Sequence, residues 1–153
     1  MSDARRQARE IALQVLYSWE VGRTSPDQAI ESVVAAHYPD AAADVLETAG
    51  QIVRGTVAAI ADLDRIIGAH SQHWRVERLA VIDRLVLRIA VWELQQPARA
   101  PRGVVLNEAL ELARRFSTED AVKFVNGVLD AICRTLDAGQ PSPGDNGSKP
   151  HVE

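Results

Sequence analysis

Only one cysteine, Cys133, occurs in the chain, which excludes an internal disulfide framework. Set beside Ala131, Ile132 and Leu136 in a helical pattern, it reads as a small buried hydrophobe of a reducing compartment. No apolar run approaches the roughly 20 residues that span a bilayer, and the charged N-terminus has no hydrophobic signal region. A soluble, cytoplasmic protein with no membrane contact is expected. Histidines are few, and His70 and His73 alone share a helix face at i, i+3, with no cysteine or carboxylate following at a metal-binding spacing. There is no glycine-rich phosphate loop, no nucleophile elbow and no marked carboxylate pair, so neither a metal, a cofactor nor an enzymatic activity is expected. No segment alternates with period two, which argues against strands. Glycine and proline are sparse except after Leu136, where "DAGQPSPGDNGSKPHVE" lacks apolar periodicity; residues 137–153 are expected to be a disordered tail on a domain spanning 1–136.

What is present is apolar and helical. An apolar fraction of 46% in 153 residues is enough to bury one core, and every periodic segment reads as helix. The expected architecture is all-α, a compact bundle of about seven helices. In the first, Ala8, Ile11, Ala12, Val15 and Trp19 fall on one side, and Gly22 is placed to end it as a left-handed cap. "SPDQ" starts a second, with Ser25 as cap, Pro26 at the first position and Gln28 completing a capping box, running to about His37. Asp40 is placed to cap a third that carries Val45, Ile52, Val53, Val57, Ile60, Leu63 and Ile67, with close contact or a kink at Gly50 and Gly55. A short helix through Ile66 to His70 and a turn around Gln72 to Trp74 follow. The segment "ERLAVIDRLVLRIAVWELQQ" is apolar nearly all round and therefore central, leaving a strip of Glu77, Arg84, Arg88 and Gln95 outward. Two more helices cover about 104–116 and 118–136, the last capped by Ser117 or Thr118, with Gly127 inviting a close neighbour.

The formal net charge of −4 is unevenly spread. Residues 27–64 carry seven acids against Arg54, whereas residues 75–102 carry six arginines against three acids. Charges farther apart than about 8–10 Å are largely screened at physiological salt, so an acidic chain can still present a basic face to a polyanion. In the first helix Arg5, Arg6 and Arg9 project onto one shoulder, followed by Leu13 and Tyr17. Guanidinium forks suit phosphate and a tyrosine ring can stack on an unpaired base; a solvated helix face is the alternative. Phe124, near the front of the last helix with Asp120 and Lys123, is either a core side chain or a second stacking platform. Glu93 projects among Ile82, Val86 and Ile89, where an unpaired charge would cost several kcal/mol, so an arginine or free backbone amides should hold it.

Taken together, "ARRQAREIALQVLYSWE", "IDRLVLRIAVWEL", "VLNEALELARRFSTED" and "KFVNGVLD" resemble, in this order and spacing, the NusB family of transcription antitermination factors over roughly residues 4–136. The resemblance implies two three-helix subdomains and a non-catalytic role. It implies pairing with ribosomal protein S10, called NusE in this setting, and binding of the single-stranded boxA element of nascent RNA. The complex helps RNA polymerase, with other Nus factors, read through terminators, notably in ribosomal RNA operons. By position, the family's RNA-facing residues fall on Arg5, Arg6, Arg9, Tyr17, Arg88, Asp120, Lys123 and Phe124, and its NusE contacts on Glu77 and Asp83. Gln7 stands where the family often has a third consecutive arginine, and Ala121 and Val122 where it often has polar residues. The chain is expected to be a monomer or a weakly associating homodimer, with a helical protein adaptor that does not touch RNA as the rival reading.

Overall fold

Apolar residues at helical spacing pull each segment against its neighbours, and the computed structural model follows that pattern through residues 3–71 and 75–139, the residues it describes. Among these are seven α-helices and one 3-10 turn, with no strand. They are α1 (Asp3–Gly22), α2 (Pro26–His37), α3 (Ala43–Ala58), α4 (Ile60–His70), the 3-10 turn Val76–Arg78, α5 (Val81–Leu94), α6 (Arg102–Phe116) and α7 (Glu119–Gly139). Helices α1–α3 pack together as one group and α5–α7 as another, with α4 against α5 and α7. Helix α5 touches α1, α3, α4, α6 and α7, and is the central element its all-round apolar sequence demands. Leu85, Val86, Leu87, Ile89 and Val91 on it are at most 1% exposed, and each such burial is worth about 1.5–3 kcal/mol.

Some helix ends fall where the local signals put them and others do not. At α2 the capping box is complete: Gln28 N–H donates to Ser25 Oγ and Ser25 N–H to Gln28 Oε1, both at 3.1 Å. Thr118 Oγ1 accepts from Ala121 N–H at 3.1 Å and caps α7. Gly22 is not the left-handed cap of α1. The helix keeps it, and Arg23 takes that position with φ 58°, its N–H reaching the Trp19 carbonyl at 3.3 Å. Asp40 does not cap α3; Ala42 stands at that position, and Asp44 accepts from Val45 N–H instead.

The long third helix breaks at Ala59, whose N–H is shared between the Gly55 and Thr56 carbonyls. One turn before the break the Trp92 indole lies on Gly55, so close that a Cβ there would sit 2.3 Å from the ring. The glycine is thus a contact surface, and the turn after it lets α4 lean on α5. Gly127, by contrast, meets no neighbour within 4 Å. Helix α7 runs on to Gly139, three residues beyond the expected end at Leu136. The turn expected at Gln72 to Trp74 and residues 140–153 of the expected tail lie outside the described residues.

Candidate nucleic-acid interface

At the start of α1, Arg5 and Arg6 are exposed, but Arg9 is not. Its side chain is 2% exposed and grips Glu93 of α5, Nε donating to Oε1 at 2.8 Å and Nη2 to Oε2 at 2.9 Å. Glu93 is therefore held by an arginine, as its place on an apolar face required, and the same bond removes Arg9 from the exposed shoulder where it was expected. Arg9 lies inside because α1 is covered by α2, α3 and α5, which buries Leu13 as well.

Arg6 stays at the surface and makes a two-pronged bond to Glu108 of α6, Nε to Oε1 at 3.0 Å and Nη2 to Oε2 at 2.8 Å. The guanidinium holds the Glu108 carboxyl below its ordinary range, against the opposing pull of burial. Further along the same seam Glu10 pairs with Arg115, and the Arg115 guanidinium lies 5.6 Å from the Phe116 ring centre.

Tyr17 is 44% exposed and, with Ile82 and Phe116, lines a groove of about 440 Å³. Beyond it Ser117 Oγ donates to Asp83 at 2.7 Å. Asp83, Asp120 and Phe124 then share a second cleft of about 370 Å³ with Arg78 and Thr118. Asp120 and Lys123 are exposed and Phe124 is half-buried against the core, while Ala121 and Val122 are buried beside it. The α1–α6 seam thus passes from the Arg6–Glu108 pair to the Tyr17 groove, and the Phe124 cleft follows on the other side of the Ser117–Asp83 bond. It carries Arg115, which the sequence reading passed over; the signal was the pair "RR" in the last turn of α6, ahead of Phe116.

Arg88 is not on this surface. It is buried, donating through Nε and Nη2 to the two Asp64 oxygens, each at 2.8 Å. The Glu20 carboxylate bridges it to Arg84 at 3.4 and 3.1 Å. Arg84 Nη1 also faces the carbonyls of Val76, Glu77 and Leu79 at 3.4–3.5 Å. The strip expected to face water thus exposes only Glu77 and Gln95, because α1 and α4 cover its arginines with carboxylates. Glu77 is exposed on the 3-10 turn, 3.6 Å from Arg75, and lies in a different cleft from Asp83.

No group of histidine, cysteine and carboxylate side chains suited to a metal ion occurs among the described residues, and no described helix is long and apolar enough to cross a membrane. Cys133 is buried, and burial pushes its thiol pKa up.

The NusB family model matches residues 6–134. The chain belongs to the NusB family. The family consists of transcription antitermination factors and is not an enzyme family. Among its NusB relatives, the transcription antitermination protein NusB of Solibacter usitatus is 42% identical over 133 residues, 87% of this chain and 90% of that protein. That of Desulforamulus reducens is 41% identical over 137 residues, 90% and 94% of the two chains. The fold is also that of NusB in a solved complex of the antitermination factors NusB and NusE with double-stranded RNA. The TM-score is 0.80 at 32% identity, covering 88% of this chain and 99% of the other.

Proposed function

We propose that this chain is a transcription antitermination adaptor that binds boxA-type single-stranded RNA together with ribosomal protein S10 (NusE), in the cytoplasm, on ribosomal RNA operons transcribed by RNA polymerase with other Nus factors. The observation that supports it best is the seam itself. In a fold shared with a NusB found bound to NusE and RNA, exposed Arg5 and Arg6 lead along α1 to Tyr17 and then to Asp120, Lys123 and Phe124. Tyr17 stands twelve residues after Arg5, which at 1.5 Å per residue is about 18 Å of helix, a path for a few nucleotides. Cations along it supply affinity that falls with salt, and the two rings favour unpaired bases. Asp83, at the foot of the Phe124 cleft, and Glu77 on the 3-10 turn are the proposed NusE contacts. Arg9 and Arg88 serve by holding α1 to α5 and α5 to α4. The free chain is proposed to be a monomer or a weak homodimer.

Anisotropy titrations of a boxA-type RNA and a scrambled RNA of equal length, with and without S10 at two salt concentrations, test this. S10 should tighten binding to boxA selectively, and Phe124→Ala should weaken it by about 1–3 kcal/mol, the range for one stacked base. Equal weak binding of both RNAs, unchanged by S10, would leave a helical protein adaptor without direct RNA contact.

A further inference from the structure

Beside the start of the seam, between the first turns of α1, one face of α3 and the end of α5, lies a cleft of about 230 Å³. We infer that it is a pocket for one unpaired RNA base, with Arg99 facing the adjoining phosphate; this rests on the RNA-binding reading above and adds a site to it. Size is the first argument. A cavity of about 150 Å³ accommodates benzene, so this one admits a single heterocycle and is too small for a drug-sized ligand.

The second argument is the wall. Trp92 is pinned against Gly55 by the close approach described above, and its half-buried indole lines the cleft, a fixed aromatic surface of the kind on which bases stack. Around it stand side chains that can read a base edge. Gln96 is held by its own Nε2, which donates to the Trp92 carbonyl at 2.9 Å, and its Oε1 is left to accept. Gln51, exposed on α3, offers both a donor and an acceptor.

Charge is the third. The lining includes Arg5, Arg9 and Arg99 against Glu93 alone, and Arg9 already neutralises that carboxylate. Arg99 is anchored through Nε to the Leu94 carbonyl and through Nη1 to that of Ala100, both at 3.1 Å, and it pairs with no carboxylate among the described residues. A guanidinium held in place by carbonyls, with no carboxylate bonded to it among the described residues, is prepared for an anion. Because Arg5 lines the cleft and precedes Arg6 of the seam, one strand can run from phosphate contacts on α1 and turn a base inward.

The test uses the full chain with S10 and a boxA-type RNA, comparing wild type with Gln51→Ala and Arg99→Gln by anisotropy at several salt concentrations, with melting temperatures alongside. Each variant should bind about 5–10-fold more weakly, and only Arg99→Gln should lower the salt slope, by about one counterion. An abasic scan of the RNA should find one position whose base matters to wild type and not to Gln51→Ala. Should Arg99→Gln melt early through loss of its carbonyl bonds, Gln51→Ala, a surface change, still decides. RNA binding by wild type with both variants unchanged and no such abasic position overturns the pocket and leaves the adaptor reading standing. Absence of any RNA binding by wild type with S10 overturns both.

Discussion

Replacing Arg9 with methionine separates support from RNA contact. The guanidinium makes two hydrogen bonds shorter than 3.0 Å to Glu93, and the two side chains are 2% and 13% exposed. Methionine fills much of the volume but leaves the Glu93 carboxylate inside without its cation. Breaking a buried pair from one side costs about 3–5 kcal/mol, and the residual exposure of Glu93 sets the lower end here, about 3 kcal/mol. At about 3 °C per kcal/mol for a chain of this size, the melting temperature should fall by about 10 °C. Arg9→Met/Glu93→Met, which removes both charges, should recover to within about 1 kcal/mol of wild type, a strongly non-additive cycle. Calorimetry on Arg9→Met, Glu93→Met and the double variant measures this. Anisotropy well below the melting point should show RNA affinity for Arg9→Met/Glu93→Met, which leaves no unpaired carboxylate in the cleft, within about twofold of wild type, since no phosphate contact has been removed. A variant that melts like wild type yet binds RNA tenfold more weakly would refute the argument and return Arg9 to the RNA.

Gly55→Ala and Gly127→Ala should move in opposite directions by chemical denaturation. The first gains helix propensity but drives a methyl into the Trp92 ring and should cost about 1–3 kcal/mol. The second meets nothing within 4 Å in the middle of α7 and should gain about 0.5–1 kcal/mol. Because Arg6 lowers the Glu108 pKa in the folded state, that carboxylate adds stability above its unfolded value near 4.5 and loses the contribution as pH falls through the lower folded value. Glu108→Gln should therefore flatten the acid limb of a stability-against-pH curve and leave it parallel to wild type above pH 6 or so; an unchanged acid limb would mean that the pair does not persist in solution.

The fold was legible because helices announce themselves locally. The capping box at Ser25 and the all-round apolar pattern of α5 each needed only a few neighbouring residues. Helix boundaries that depend on distant partners were not. Gly55 announced a close neighbour or a kink, but the neighbour is a tryptophan 37 residues further on, and nothing local marked Ala59 as the place where α3 stops. The interface shows the same limit. Arg5, Arg6, Tyr17, Asp120, Lys123 and Phe124, singled out by helix projection and residue type and then by the family resemblance, are found at or near the surface. Arg9, Arg84 and Arg88 look like surface residues by type and were hidden by carboxylates from other helices, Glu93, Glu20 and Asp64. Glu93 could be foreseen because an acid on an apolar stripe needs a partner, whereas Asp64 and Glu20 sat on their own helices without any such oddity.

The Glu20 carboxylate, between Arg84 and Arg88, means that the two three-helix groups are not separable modules. A polypeptide ending at Ala59 would keep Glu20 with neither of its cations. The complementary piece would keep Arg84 with carbonyls alone for partners, and Arg88 with only half of its anions. Each half would carry the other's charge deficit on what had been an inside surface, so the bridge ties the stability of either half to the presence of the other.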